Sequence, residues 1–259
     1  MMQQEKMTIV SQTEIAPDIF QLELQGQLVN EMRQPGQFLH LLVPKADLTL
    51  RRPISIAAID SERQIVTLLY RTVGEGTKAL AQLKEGSTLS VLGPRGHGFP
   101  VDEVNPGDTV YLIGGGIGIP PLYELAKQLT AREVSVVALL GYRSKKYLFY
   151  VDKFKKLGDV KIATEDGSYG FHGHVGQLME SLPMPNVVYS CGPFPMLKAV
   201  VSHYESMLDK VFISLEERMA CGIGACYGCV CQSAEDETHL YKVCEDGPVF
   251  RGGQVCLED

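Results

Sequence analysis

Short runs in which apolar and polar residues alternate fill the first hundred positions of the chain. They cover Met7–Ile15, Ile19–Leu24, Phe38–Val43, Ile54–Ile59, Ile65–Tyr70 and Thr88–Leu92. A period of two turns one face of a strand inward and the other outward. Turn-forming strings such as Gln34-Pro35-Gly36 and Asp60-Ser61 separate the runs. Six short strands at this spacing predict a small antiparallel barrel. One helix interrupts them, opening near Gly76-Thr77 and continuing to Leu83, and the turn-rich string Gly93-Pro94-Arg95-Gly96-His97-Gly98 closes the segment.

From about residue 108 the rhythm changes. Thr109–Gly114, Val134–Gly141, Val160–Thr164 and Val187–Ser190 read as buried strands, and Pro120–Leu129, Tyr150–Lys156 and Pro195–Tyr204 as helices. Strand and helix in alternation predict a parallel α/β domain with ligands at the carboxyl ends of its strands. A cysteine-bearing stretch follows. The expected fold is multi-domain, β plus α/β: a barrel over residues 1–100, an α/β domain over 101–210 and a small module over 211–259.

Composition narrows the class. With 259 residues, 45% of them hydrophobic, the chain has room for about two domains around ample core. The most apolar stretch, Val110–Leu122, is interrupted by four glycines and two prolines, so no membrane span is expected. The opening string Met1-Met2-Gln3-Gln4-Glu5-Lys6-Met7 has no apolar run of the secretory kind. Seven cysteines in such a chain predict a reducing cytoplasm and thiols used for metal or redox chemistry. Most of the net charge of −7 lies in the last stretch, where nine acids, Glu258 and Asp259 among them, face Arg218, Lys242 and Arg251. Such an acidic face is solvated, would push down the potential of a nearby metal centre, and argues against nucleic acid as a partner.

Four cysteines carry the most specific signal. Cys221, Cys226 and Cys229 form a C-x4-C-x2-C string, and Cys244 follows after fourteen residues. That is the spacing of plant-type [2Fe-2S] ligands. A diiron cluster takes four thiolates, and three can come from one tight loop. Gly222, Gly224, Ala225 and Gly228 allow such a loop to turn its N–H groups toward sulfur. A structural zinc site is the competing reading, but it usually shows two C-x2-C pairs, and here Cys226 and Cys229 alone are so spaced. An odd number of cysteines argues against a disulfide framework. Cys231 is a spare thiol that the pattern does not require.

Further motifs sit at strand ends. Arg52-Pro53-Ile54-Ser55 offers a forked cationic donor suited to phosphate and a small hydroxyl. Leu69-Tyr70-Arg71 ends a strand with a ring beside a second arginine. Gly74-Glu75-Gly76-Thr77 opens a helix, where free N–H groups favour an anion. Gly114-Gly115-Gly116-Ile117-Gly118-Ile119-Pro120-Pro121 joins a strand to a helix. It lacks the last glycine of the usual dinucleotide fingerprint, and reads either as a pyrophosphate approach or as a tight βα turn. Cys191-Gly192-Pro193 places a thiol at the same sheet edge, where a buried, hydrophobe-like cysteine is the commoner outcome.

In this order the strings R-P-I-S, Y-R, G-E-G-T, G-G-G-I-G-I-P-P and C-G-P-F-P-M resemble the ferredoxin–NADP reductase superfamily over essentially the whole chain. The cysteine module, with K-V-C-E-D-G-P-V-F, is similar to one branch, the electron-transfer subunits of type B dihydroorotate dehydrogenases. The resemblance implies FAD in the barrel, contacted by Arg52, Pro53, Ile54 and Ser55, lined by Leu69, Tyr70 and Arg71, with Gly76 and Thr77 at its pyrophosphate. It implies a nicotinamide nucleotide facing Gly115, Gly116, Ile117, Gly118 and Pro120, with Cys191, Gly192 and Pro193 near the flavin–nicotinamide stack. Glu165 and Asp166 fall where the family reads the adenosine ribose; acids there favour NAD over NADP, while Arg143, Lys145 and Lys146 pull the other way. Cys221, Cys226, Cys229 and Cys244 would hold the [2Fe-2S] cluster.

Two functions follow from the resemblance. One is the electron-transfer subunit of a cytoplasmic dihydroorotate dehydrogenase complex in pyrimidine biosynthesis. It would pass electrons from an FMN-containing catalytic partner through [2Fe-2S] and FAD to NAD+, in a heterotetramer with two of each chain. The other is a stand-alone NAD(P)H reductase serving a ferredoxin or oxygenase. A zinc-stabilised binding module would leave the flavin strings unexplained. No Ser-His-Asp set or P-loop is present, and His97, His172 and His174 read as solvated turn residues. Pro248, Val249 and Phe250 read either as an apolar anchor for the partner or as chain folded back on its own core.

Overall fold

The computed structural model describes residues 3–257; Met1, Met2 and the tail acids Glu258 and Asp259 lie outside the described residues. In the first segment β1 (Gln3–Ala16), β2 (Ile19–Gln25), β3 (Phe38–Leu42), β4 (Arg52–Asp60), β5 (Ile65–Arg71) and β6 (Thr88–Arg95) close an antiparallel barrel in the order β1-β2-β5-β4-β3-β6. Helix α1 (Glu75–Leu80) interrupts it between β5 and β6. The alternation read in the sequence fills the barrel: Met7, Ile9, Leu22, Leu24, Leu39, Leu41, Val66, Leu68, Leu89 and Val91 form one buried core. On β3 the in-between residues Phe38 and His40 point the other way, yet both are buried. Phe38 belongs to a different core, shared with Ile213, Cys229, Cys244 and Phe250. The outer face of β3 is therefore a packing surface.

The second unit is built from β7 (Thr109–Gly115), α2 (Ile119–Ala131), β8 (Ser135–Tyr142), α3 (Val151–Lys155), β9 (Asp159–Thr164), β10 (Phe171–His172), α4 (Val175–Met179), β11 (Val187–Cys191), α5 (Phe194–His203), β12 (Val211–Ser214) and, after a hairpin of β13 (Val230–Gln232) and β14 (Leu240–Lys242), β15 (Val249–Arg251). Its sheet runs β10-β9-β8-β7-β11-β12-β15. Every pairing is parallel except β12 with β15. The division drawn at residue 210 falls inside this sheet, because the apolar run Val211–Ser214 is buried and pairs with β11. Between β12 and β15 the chain makes a cysteine-bearing excursion, so the small module is an insertion between two sheet strands.

Three groups of contacts set the parts in place. Glu124 on α2 has a side chain 7% exposed. It accepts the Ile59 N–H of β4 at 3.0 Å and ion-pairs with Lys127 at 2.8 Å, while Lys127 also donates to the Ile59 carbonyl at 3.2 Å. The module docks on the barrel through His97 N–H to the Gly247 carbonyl (2.6 Å) and Arg95 Nε to the Gly222 carbonyl (2.9 Å). The module's end pairs through Leu215 N–H to the Pro248 carbonyl at 2.9 Å.

This geometry decides the reading of Pro248-Val249-Phe250. Phe250 is 2% exposed, packs 5.6 Å from the Tyr241 ring and pairs with Ile213 across β12–β15. The segment folds back on its own core and offers no anchor to a partner. Phe250→Ala is expected to lower stability by about 3–5 kcal/mol, the usual cost of removing a buried ring. The check is the midpoint of chemical denaturation, which should fall well below that of the parent chain.

Candidate functional site

The first cleft, about 330 Å³, opens where β4 and β5 leave the barrel. Arg52, Pro53, Ile54 and Ser55 line one side and Leu69, Tyr70, Arg71, Val73 and Thr77 another. Residues 52–55 and 69–71 are consecutive runs at the start of β4 and the end of β5, where both faces of each strand reach the cleft, while the same strands bury Ile56, Val66 and Leu68 further along the barrel. A Cβ added to Gly76 would lie 2.1 Å from Arg52 Nε, so the guanidinium rests directly on the backbone at the start of α1. Thr77 Oγ1 accepts the Val73 N–H (3.0 Å) and the Gly74 N–H (3.3 Å), which holds that turn in shape. A cationic fork, a hydroxyl and a glycine backbone thus meet in one place, the donor set that suits a diphosphate. Tyr70 stacks on Phe20 at 5.7 Å and donates to Gln12 Oε1 at 3.2 Å; burial raises its pKa, so the ring is a neutral wall. Ile117 and Ser214 from the sheet and Met219 and Pro248 from the module complete the cleft. Ile117 was expected at the nucleotide and instead faces this cleft.

The second cleft, about 610 Å³, lies at the carboxyl ends of β7, β8, β9 and β11. Gly115 and Gly116 line it, with Gly116 at φ +52° in the left-handed region. Gly118 does not line it: its Cβ would sit 2.5 Å from the Cys191 carbonyl group, so this glycine permits close packing of the turn on β11. Pro120 is buried in the first turn of α2. Tyr142, Arg143, Glu165, His174, Gln177, Pro193, Met196 and His203 complete the wall, and Arg71 is common to both clefts. His174 therefore stands at the cleft, where the sequence suggested a plain turn residue; its signal is the Gly-rich string ahead of α4. Asp166 turns away. Its Oδ1 accepts the Ser168 N–H (3.0 Å) and hydroxyl (2.6 Å), bonds that lower its pKa. Lys145 and Lys146 lie over the Tyr169 and Tyr147 rings and do not line the cleft.

Cys191 ends β11 fully buried. Burial and the nearby Glu216 raise its pKa, against a Ser214 hydrogen bond, so it remains a neutral thiol beneath Gly192 and Pro193. Those two residues, with Leu215, Glu216, Glu217, Cys231 and Cys256, line a third cleft of about 540 Å³ between α5 and the hairpin. Glu216 borders the first and third clefts. Its carboxyl is open to solvent but ringed by protein; that enclosure raises its pKa while Arg71 pulls the other way.

The cysteine loop runs from Met219 to Cys229 in successive turns. Gly222 (φ +65°) and Gly224 (φ +78°) take left-handed conformations that aim backbone N–H groups at sulfur. The Ile223 N–H donates to Cys221 Sγ at 3.4 Å and the Gly224 N–H to Cys244 Sγ at 3.2 Å. Lys242 Nζ donates to the Gly224 carbonyl at 2.7 Å and ties the loop to β14. The thiols approach each other in two pairs, Cys221 with Cys226 and Cys229 with Cys244. At Cys221, burial raises the pKa but is outweighed by donation from Ile223, Cys226 and Ala225, leaving it at about 7. At Cys244, burial and Cys229 push it up to about 12. Packed thiols cannot all ionise unless cations sit among them. Among the described residues no group of three or more His, Cys, Asp or Glu side chains is placed to hold a metal ion. Two thiol pairs with backbone donors fit a two-iron cluster. Cys231 stands apart: burial, Glu217 and Asp246 push its pKa up to about 12.

Beneath this loop lies a residue that the sequence did not single out. His40 is 0% exposed, and neither ring nitrogen has a protein partner. Burial, with Arg51 and Arg95 nearby, lowers its pKa to about 4, so the ring is neutral at pH 7. A buried N–H left unpaired costs about 1–3 kcal/mol.

Comparison with known proteins agrees with this geometry. The family described as the iron-sulfur cluster binding domain of dihydroorotate dehydrogenase B matches residues 216–256, and the oxidoreductase FAD-binding domain matches residues 6–99. The dihydroorotate dehydrogenase B (NAD(+)) electron transfer subunit of Enterococcus faecalis is 52% identical over 98% of both chains. That of Bacillus cereus is 50% identical over 99% of this chain and all of its own. Among solved structures, an NADH-dependent reduced ferredoxin-NADP oxidoreductase superposes with a TM-score of 0.87 at 29% identity, covering 98% of this chain and 90% of its own. The ferredoxin reductase of a carbazole 1,9a-dioxygenase shares the fold at a TM-score of 0.69 and 19% identity, over 82% of this chain and 69% of its own. The chain belongs to the family of dihydroorotate dehydrogenase B electron transfer subunits.

Proposed function

We propose that this chain carries electrons from a dihydroorotate-oxidising partner to NAD+, using a [2Fe-2S] cluster and FAD that it holds itself. One observation carries the reading: the flavin-type cleft takes its walls from all three parts of the chain. Arg71 joins it to the nucleotide cleft, and Met219 and Pro248 join it to the cysteine module. When bound, the cluster supplies one-electron transfer and the flavin links it to two-electron hydride chemistry.

The chain's own side chains bind and orient. Arg52, Gly76 and Thr77 hold the FAD diphosphate, Pro53 to Ser55 edge the ring system, and Leu69 and Tyr70 wall it. Gly115 and Gly116 admit the nicotinamide nucleotide close to backbone, with Gly192 and Pro193 on the facing turn. Glu165 reads the adenosine ribose 2′-OH and repels a 2′-phosphate, which favours NAD over NADP; Arg143 works against it from the same wall. Cys221, Cys226, Cys229 and Cys244 ligate the cluster. Apolar Ile117, Met219 and Pro248 keep water from the flavin edge.

The partner contributes the FMN-containing catalytic site, and the complex is a heterotetramer with two of each chain, working in the cytoplasm in pyrimidine biosynthesis. The exposure of the cluster loop supports exchange with another protein: Tyr227, between two ligands, is 72% exposed. No helix among the described residues is long and apolar enough to cross a membrane.

Three outcomes test this. The isolated chain should oxidise NADH with artificial acceptors and leave dihydroorotate untouched. Adding the partner should give orotate formation with NAD+, and much less with NADP+; dihydroorotate oxidation by the chain alone would refute the assignment. Cys229→Ser should bleach the visible and EPR signals of the cluster, whereas Cys231→Ser should keep them, and the reverse pattern would overturn the ligand set. Arg52→Ala should weaken FAD retention by about 1.5–3 kcal/mol, the worth of a charge-assisted bond. Equilibrium dialysis of the flavin reads this directly, and unchanged affinity would remove Arg52 from the site.

A further inference from the structure

The outer face of β3 meets the cysteine loop at His40. A Cβ on Gly222 would lie 2.2 Å from His40 Cε1, 2.3 Å from Nδ1 and 2.8 Å from Nε2, so the ring rests on the backbone next to Cys221. A neutral imidazole must carry one N–H. The neighbouring Gly222 carbonyl is already engaged by Arg95 Nε at 2.9 Å, and neither His40 nitrogen has an acceptor among the described residues. A donor this deeply buried needs an acceptor, and the chain sets it against the Gly222 backbone, one residue from the proposed ligand Cys221.

Resting on that cluster reading, we propose that His40 donates a hydrogen bond to an inorganic sulfide of the [2Fe-2S] centre, none of the protein's own sulfurs being its partner, and so raises the reduction potential of that centre. The reduced cluster carries one more negative charge, so an N–H aimed at sulfur stabilises it more than the oxidised form. His40 is a positioning and tuning residue contributed by the flavin barrel to a centre on another part of the chain. It stands two residues from Phe38, whose ring lies 5.9 Å away and lines the flavin cleft.

The test uses the full chain loaded with FAD and cluster, titrated under EPR. His40→Leu keeps an apolar filler and removes the donor. It should lower the cluster midpoint by about 59 mV, a tenfold shift for one electron, and leave the flavin midpoint in place. His40→Gln, which restores an N–H, should recover most of the shift. In wild-type chain carrying 15N-histidine, pulsed EPR of the reduced cluster should show a 15N coupling that His40→Leu abolishes. If His40→Leu fails to take up the cluster, the wild-type coupling decides alone. No coupling, or an unmoved midpoint, means that the ring bonds to water or to nothing and overturns the proposal. A wild-type chain with no [2Fe-2S] signal overturns the cluster reading itself, and the proposal with it.

Discussion

The buried carboxylate of Glu124 holds this molecule in the shape its chemistry needs. It reaches from the first helix of the sheet domain to a β4 backbone amide, and Lys127 closes the loop by bonding both Glu124 and the Ile59 carbonyl. Glu124 is buried while the Lys127 side chain is 36% exposed, so the pair itself gains little, but removing its partners would leave the Glu124 charge buried and poorly compensated, which is costly. What such a pair supplies is directional: one residue of α2 can meet β4 in one register. Arg71 is shared by two clefts because the barrel and the sheet meet in that register.

The module is fixed by a different means. It leaves the sheet at β12 and returns at β15, so its two ends are hydrogen-bonded to each other as neighbouring strands. A loop closed at both ends loses less entropy on ordering than a free tail does. The excursion then lies over the outer face of β3, where Phe38 joins its core. The cysteine loop thereby gains a floor of barrel side chains, and its distance from the cleft at β4 and β5 is set by strand geometry.

Much of this was legible in the sequence because period-two alternation and βα rhythm are local. The six barrel strands and the main sheet strands follow it closely. Strand β12 does not announce itself as part of the sheet because three apolar residues and a serine give no periodicity, and β15 does not because three residues ahead of a glycine pair look like a tail. The cysteine spacing was legible as chemistry, since ligand geometry writes itself into sequence separation. His40 was not: inside Phe38-Leu39-His40-Leu41-Leu42 it reads as one polar residue of an alternating strand, and only the packing of a distant glycine gives it meaning. Asp166 and Gly118 were over-read for the same reason in reverse. Their side-chain direction and close contacts depend on Ser168 and Cys191, which local pattern does not encode.

A redox relay also needs reactive groups that stay out of the way, and the chain treats its thiols accordingly. Cys191 is buried beneath the turn whose Pro193 lines the second cleft, and both burial and Glu216 oppose its ionisation. Cys231 lies two residues from Cys229, near enough in sequence to compete as a ligand. Its surroundings oppose that: Glu217 and Asp246 add negative charge where a thiolate would form. Cys221 receives N–H donors from the turns that Gly222 and Gly224 permit, and its pKa falls to about 7. Cys244 is pushed up to about 12 as Cys231 is, yet the Gly224 N–H is aimed at its sulfur at 3.2 Å, so what sets it apart from Cys231 is backbone direction and not ready ionisation.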